Sequence, residues 1–222
     1  MAYLAPSILS ADFTRIGEAV KTIEEGGADF LHVDIMDGHF VPNLTFGPQL
    51  VSALKQKTAL PLDVHLMVEN PRQFVPMFQE AGADWISIHL EATDHLHKDI
   101  TQIKDLGCKA GIALNPATPI HLMNDIIREL DYVLIMTVNP GWGAQKFVDT
   151  TRAKISNLKN WIKGQKLEIL IEVDGGIKYD NILDIAMAGA DILVVGSGIF
   201  KSPEPLDMVK KMKELLKEAN SS

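Results

Sequence analysis

Eight short runs rich in Val, Ile and Leu recur along this chain, with longer amphipathic stretches between consecutive runs. No other feature restricts the fold as much. The runs cover residues 3–9, 29–35, 62–68, 85–90, 109–114, 132–138, 168–173 and 192–195. Each is near-continuously apolar, the pattern of a strand covered on both faces. Helical patterns such as Phe13-Ile16-Val20-Ile23 and Leu50-Val51-Leu54 lie between them. Asp12 stands where it can cap the first helix, and Pro71 where a first helical turn begins. Gly26, Gly82, Gly107 and Gly189 follow helix ends. Alternating β and α elements imply parallel pairing through right-handed crossovers. Eight such units are the count of a closed (β/α)8 barrel. No linker or composition shift divides the chain, so residues 1–222 are expected to form one α/β domain, a (β/α)8 TIM barrel.

A weak internal repeat agrees. Gly27-Ala28-Asp29-Phe30, Gly82-Ala83-Asp84-Trp85 and Gly189-Ala190-Asp191-Ile192 each place a Gly and an Asp just before a strand, and Leu130-Asp131-Tyr132 is a degenerate copy. The four Asp positions are 55, 47 and 60 residues apart, so the signal precedes every second strand. Such turns belong to the N-terminal, stability face of a barrel.

Charge and composition remove several function classes. The 222 residues carry 29 acidic against 21 basic side chains, a net charge of −8. Neutralising nucleic-acid phosphates or an anionic membrane surface needs the opposite balance. A single cysteine, Cys108, cannot form an intrachain disulfide, which fits a reducing compartment. The start of the chain is apolar but lacks a basic segment and reaches Asp12 quickly, unlike a signal peptide. No apolar run approaches the roughly 18 to 20 residues of a spanning helix. A cytoplasmic protein is expected.

The second and seventh runs end in chemistry. In Leu31-His32-Val33-Asp34-Ile35-Met36, a period of two puts His32, Asp34 and Met36 on one face. Leu62-Asp63-Val64-His65-Leu66-Met67 does the same for Asp63, His65 and Met67, and Glu172-Val173-Asp174-Gly175-Gly176 closes the seventh strand. Imidazoles and carboxylates buried in a barrel lumen are costly without a partner. Two of each, near C-terminal strand ends, suit one divalent ion such as Zn²⁺, Fe²⁺, Mn²⁺ or Co²⁺. Of the other histidines, His89 ends a strand and is placed to line the site. His39, His95, His97 and His121 lack matched partners and are expected to be solvated.

Phosphate signals follow. Gly175-Gly176 after the seventh strand and Gly196-Ser197-Gly198 after the eighth occupy the loops where barrel enzymes often hold a phosphate through backbone N–H groups. The loop Asn139-Pro140-Gly141-Trp142-Gly143-Ala144-Gln145-Lys146 is long enough to fold over a ligand. Met36, Met67 and Met136 fall in the layer of the candidate ligands, where soft sulfurs could wall an electron-rich intermediate without taking its proton.

Together these segments resemble the ribulose-phosphate 3-epimerase family. The likeness rests on Ala5-Pro6-Ser7-Ile8-Leu9-Ser10-Ala11-Asp12-Phe13, His32-Val33-Asp34-Ile35-Met36-Asp37-Gly38-His39-Phe40-Val41-Pro42-Asn43, His65-Leu66-Met67, Met136-Thr137-Val138-Asn139-Pro140-Gly141 and Glu172-Val173-Asp174-Gly175-Gly176. It implies a metal-dependent barrel isomerase interconverting D-ribulose 5-phosphate and D-xylulose 5-phosphate, with a phosphorylated ketose as partner and a homo-oligomeric state. It also implies His32, Asp34, His65 and Asp174 as metal ligands and Asp34 and Asp174 as the acid/base pair. Ser7, His65, Met36, Met67, Met136, Gly141, Trp142, Gly143, Ala144, Gly175, Gly176, Gly196 and Ser197 become substrate contacts. One departure stands out: the family usually shows Pro-Gly-Phe-Gly-Gly-Gln after strand six, where this chain has Trp142 and Ala144. Alanine there is harmless at negative φ and costs about 1 kcal/mol or more otherwise.

The nearest alternative is the same chemistry on allulose 6-phosphate, with pocket length deciding. A sugar-phosphate lyase would want a lysine at a strand end in the site layer, and none stands there. A non-catalytic sugar-phosphate binder would need neither acid/base carboxylates nor a metal.

Overall fold

The computed structural model describes residues 2–219. Its strands are β1 (Tyr3–Pro6), β2 (Leu31–Met36), β3 (Leu62–Met67), β4 (Trp85–His89), β5 (Lys109–Leu114), β6 (Tyr132–Met136), β7 (Leu170–Asp174) and β8 (Ile192–Val195). The helices are α1 (Ile16–Glu25), α2 (Pro48–Lys55), α3 (Val75–Glu80), α4 (Leu96–Asp105), α5 (Thr151–Gly164), α6 (Ile182–Met187), α7 (Ser197–Phe200) and α8 (Pro205–Ala219). All ladders are parallel, in the order β1-β8-β7-β6-β5-β4-β3-β2. A single bridge between Ser7 and His32 closes β1 onto β2 and completes the (β/α)8 barrel. Among the described residues, no helix is long and apolar enough to cross a membrane.

Several elements differ from the sequence pattern. β1 stops at Pro6 because Ser7 turns the chain into a 3-10 turn at Ile8–Ser10, its hydroxyl accepting from the Leu9 N–H. Asp12 caps a 3-10 turn at Phe13–Arg15, which leads into α1, rather than α1 itself. β5 and β6 are joined by two 3-10 turns, Ile120–Met123 and Ile127–Glu129, in place of an α-helix. Pro116 and Pro119 sit at the start of that connection, where they deny it helical N–H donors.

Outward-facing strand residues such as Val33, Val64, Ile86, Ile112, Val133 and Ile171 pack under the helices against Val20, Val51, Leu54, Ile155 and Leu158. The lumen is layered. Its floor is apolar and aromatic, with Tyr3 against Phe30, Phe30 against Trp85 and Trp85 against Tyr132 at ring-centroid distances of 5.9, 5.0 and 4.9 Å. Tyr132 lies across β5, where a Cβ on Gly111 would come within 2.4 Å of its ring. Above the floor comes a charged layer, and above that the methionines.

The repeated Asp has one structural job at four places. The backbone N–H of Asp29, Asp84, Asp131 and Asp191 donates to the carbonyl of Leu4, Leu62, Ala110 and Ile171 respectively. The carboxylate of each then accepts the N–H of that same residue, at 2.7, 2.7, 2.9 and 2.9 Å. Each carboxylate also pairs with a lysine: Lys213, Lys55, Lys109 and Lys159. Every even-numbered strand is thus clasped to an odd-numbered one at the N-terminal face. Replacing Asp191 by Ala leaves a buried N–H at Ile171 and strands Lys159, and urea unfolding should register a loss of about 1–3 kcal/mol. Asp84→Ala should cost less, because Asp84 is 38% exposed against 16% for Asp191.

Candidate functional site

The period of two along β2, β3 and β7 delivers His32, Asp34, His65, Asp63 and Glu172 to the lumen, all of them buried, with Asp174 at its mouth. The β2–β3 register sets Asp34 opposite His65 and His32 opposite Asp63. Asp34 Oδ1 lies 3.3 Å from both His32 Nε2 and His65 Nδ1, while its Oδ2 accepts the Ser7 hydroxyl at 2.6 Å. One ligand atom from each of His32, Asp34, His65 and Asp174 lies within 4.8 Å of the other three. His32 Nε2 is buried there without a hydrogen-bond partner. Its Nδ1 is engaged at 2.6 Å by Asp63, which orients the ring to offer Nε2. An orphaned imidazole nitrogen among two carboxylates and a second imidazole fits a divalent metal ion.

His32, Asp63 and Glu172 also converge, with Glu172 Oε1 3.4 Å from His32 Nδ1. This grouping is sealed beneath the first and uses the nitrogen that Asp63 already holds, so it buttresses the upper cluster rather than forming a second centre. Tyr132 Oη meets Asp63 at 3.3 Å from the floor.

Burial and neighbouring charge split the site's proton affinities. Burial works against a charge on His32, but Asp63 and Asp34 outweigh it and hold the imidazolium well above its usual pKa. Burial also opposes ionisation of Asp34, yet His32 and then His65 push its pKa far down. For Asp174 the pull of His32 is outweighed. Burial and the adjacent Asp34 charge raise it to about 7. Burial lowers His65 to about 4 despite its bond to Asp34, and burial, then the neighbouring Asp63 charge, raises Glu172 well above the usual carboxylate range. The two site carboxyls are therefore unequal: Asp34 ionised, Asp174 poised to carry a proton.

Above this cluster opens a pocket. Of the residues expected from sequence, Ser7, Asp34, Met36, Met67, Met136, Gly141, Trp142, Gly143, Ala144, Asp174, Gly175, Gly176, Gly196 and Ser197 line it. His32 and His65 stand fully buried behind Asp34. The three methionines are buried in the pocket wall, beside the carboxyls. Gly175 and Gly176 adopt φ of +122° and +68°, and a Cβ on Gly176 would sit 2.3 Å from the Phe147 nitrogen. Only glycine permits that approach. Gly196 meets Ser10, whose hydroxyl would be 2.8 Å from an added Cβ.

The loop after β6 is stapled from within: Gln145 Nε2 donates to the Asn139 and Trp142 carbonyls at 2.6 and 2.8 Å. Asn43 Nδ2 ties it to the β2 loop through the Gly141 carbonyl. Trp142 is 59% exposed at the rim. Ala144 has φ +60°, so the harmless case does not apply: it occupies a left-handed position natural to glycine, at a cost of about 1 kcal/mol.

One expectation fails. His89 does not line the pocket; it is fully buried behind His65, its Nε2 2.9 Å from His65 Nε2, and Glu91 backs it at 3.1 Å. The other four histidines are exposed as expected. Sequence reasoning missed Glu172, His89 and Glu91 as supports of the site. For Glu172 a signal existed, since it shares a strand face with Asp174 two residues on.

Comparison with known proteins agrees with this geometry. Residues 3–200 match the model of the Ribulose-phosphate 3 epimerase family. The ribulose-phosphate 3-epimerase of Aquifex aeolicus is 46% identical over 221 residues, covering all of both chains. That of Bacillus subtilis is 50% identical over 202 residues, covering 90% of this chain and 93% of its own. Among solved structures, KGPDC from Streptococcus mutans superposes with a TM-score of 0.74 at 15% identity, over 99% of each chain. The 3-hexulose-6-phosphate synthase of Salmonella typhimurium gives 0.71 at 17%, over 98% of this chain and 99% of its own. Identities that low speak to the barrel alone. The two bacterial epimerases and the family match speak to more: this chain belongs to the ribulose-phosphate 3-epimerase family.

Proposed function

We propose that residues 1–222 form one catalytic barrel that interconverts D-ribulose 5-phosphate and D-xylulose 5-phosphate by moving the proton on C3. The observation that carries this reading is the pair Asp34 and Asp174, unequal in proton affinity, at the floor of one pocket. Inverting a carbon beside a ketone requires removal of its proton from one face and delivery to the other. A single base returns the proton to the side it came from. Asp34 on β2 and Asp174 on β7 are separated around the barrel by β1 and β8, so they reach the substrate from different sides. The ionised carboxylate takes the proton, the protonated carboxyl supplies one, and the roles exchange in the reverse reaction.

His32, Asp34, His65 and Asp174 hold one divalent ion, of the class Zn²⁺, Fe²⁺, Mn²⁺ or Co²⁺. When bound, such an ion stabilises negative charge developing on the substrate oxygens, by several kcal/mol. Ser7 fixes the Asp34 carboxylate through its hydroxyl. Met36, Met67 and Met136 give the planar intermediate apolar walls that exclude water and donate no proton. The backbone around Gly141–Ala144, Gly175, Gly176, Gly196 and Ser197 cradles substrate and phosphate, with first-turn N–H groups of α7 at Ser197 lacking helical acceptors. The phosphate is untouched by the chemistry and supplies orienting binding energy.

Proton NMR of D-ribulose 5-phosphate with the protein in D2O tests the reading. The C3 proton should exchange and xylulose 5-phosphate accumulate, with a chelator stopping both. Neither product nor exchange with Zn²⁺, Mn²⁺ or Fe²⁺ added would remove the pentose assignment, and the same assay on allulose 6-phosphate would follow.

A further inference from the structure

We infer that Thr45 takes the place of a strand beside the end of β2, and that its hydroxyl fixes where Asp34 meets the substrate. The inference rests on the reading of Asp34 as one of two proton-transferring carboxyls, and it concerns a residue outside the pocket. Leu31 donates its N–H to Pro61, on the β3 side, while Phe30 donates to Leu4 of β1. Backbone groups alternate sides along a strand, so the N–H and C=O of His32, Asp34 and Met36 also turn toward β1. β1 stops at Pro6, and its last contact with β2 is the bridge between Ser7 and His32. Beyond that bridge the chain turns away at Ile8–Ser10. The Asp34 carbonyl and the Met36 N–H belong to buried residues and still need partners.

The loop after β2 supplies them. Leu44 bridges Asp37 in antiparallel sense, and the Thr45 N–H donates to the Met36 carbonyl at 3.3 Å. The Thr45 hydroxyl donates to the Asp34 carbonyl at 2.6 Å and accepts the Met36 N–H at 2.9 Å. It can do both because a hydroxyl carries one proton and two lone pairs. The residues on either side anchor it. Phe46 meets Phe13 edge-on at a centroid distance of 4.9 Å, and Asn43 Nδ2 donates to the Gly141 carbonyl at 2.8 Å. Asp34 is thus gripped at both ends, its carboxylate by the Ser7 hydroxyl and its main chain by Thr45. Asp174 does not depend on this loop, because its carbonyl accepts the Thr137 N–H and hydroxyl at 2.7 and 2.9 Å. Thr45 is therefore a positioning residue for one carboxyl of the pair.

Thr45→Val keeps the shape and removes the hydroxyl, whereas Thr45→Ser keeps the hydroxyl. In metal-saturated full-length protein, Thr45→Val should lower kcat by about 10- to 100-fold, the penalty of a displaced catalytic group. KM for D-ribulose 5-phosphate should stay within about twofold of the parent, because ground-state binding is spared. Thr45→Ser should turn over close to the parent rate. In D2O, Thr45→Val should slow C3 proton wash-out from the epimer that Asp34→Asn no longer exchanges, and spare the other. Parent kcat in Thr45→Val, equal slowing of both epimers, or a serine variant as slow as the valine one overturns the inference. If circular dichroism shows that the valine variant does not fold, Thr45→Ala removes the same hydroxyl and carries the same comparison. In the parent alone, a Met36 amide that exchanges with D2O as fast as an unbonded one also overturns it. Full turnover in Asp34→Asn would remove the two-carboxyl reading and the inference with it, whereas loss there beside a parent-like Thr45→Val overturns the inference alone.

Discussion

Asparagine at either Asp34 or Asp174 should abolish epimerisation while leaving half of the proton chemistry intact. Each carboxyl serves one face of the C3 carbon, so a variant with only one can still remove and return a proton on that face. In D2O, each variant at saturating metal should wash the C3 proton out of one epimer and not the other. The two variants should choose opposite epimers. Product formation should fall by about 10²- to 10⁴-fold in each, the usual contribution of a positioned acid or base. Bound metal must be measured alongside, because both residues also sit in the ligand cluster. Full turnover in either variant, or exchange of both epimers by both, would sink the two-carboxyl mechanism. Asp174→Asn carries a second signature. In the metal-free protein, burial and the neighbouring Asp34 charge push Asp174 up to about 7, well above the usual carboxylate range of about 4. A carboxyl with a raised pKa binds more protons folded than unfolded between those values. Its contribution is therefore present at low pH and lost as pH rises from about 4 to 7. Asparagine removes that dependence. In excess chelator, the variant should match the parent near pH 4 and exceed it at pH 8 in urea unfolding.

The barrel and the upper cluster were legible because both follow from strand periodicity. Continuous apolar runs named the strands, and the period of two put His32, Asp34, His65 and Asp174 on lumen faces without any knowledge of pairing. The fourfold Asp signal was open to a trivial explanation, a general taste of αβ turns for Gly and Asp. Identical bonds at Leu4, Leu62, Ala110 and Ile171 show that it marks one repeated clasp. What stayed hidden depended on contacts between elements. His89 reads as a strand end facing a site, and only the packing of β4 beside β3 places it behind His65. Glu91 carries no signal in the sequence, because its partners at Asn115 and Thr118 come from the next loop. The left-handed backbone of Ala144 is likewise invisible, since the residue type argues against the conformation it holds.

His32→Ala and His65→Ala should both empty the metal site, yet differ sharply in what they do to the metal-free fold. His32 is the one cation the described lumen layer places among carboxylates: Asp63 at 2.6 Å, Asp34 at 3.3 Å and Glu172 at 3.4 Å. Both Asp34 and Asp63 owe their lowered pKa to it. Deleting it leaves two buried carboxylates without a counter-charge, a class of change that costs about 3–5 kcal/mol. His65 is held near pKa 4 by burial and is uncharged at neutral pH, so its loss removes packing and two hydrogen bonds but no charge. About 2–3 kcal/mol is expected. The pH dependence should separate them further. Without His32, burial raises Asp34 and Asp63, the folded state holds protons that the unfolded chain releases, and stability falls as pH rises above about 4. The His32→Ala deficit should therefore be larger at pH 8 than at pH 5, while that of His65→Ala stays nearly flat. Urea unfolding in chelator at the two pH values decides the matter. Equal deficits for the two variants at both pH values would mean that His32 is only a metal ligand, and that some other group balances the charge beneath it.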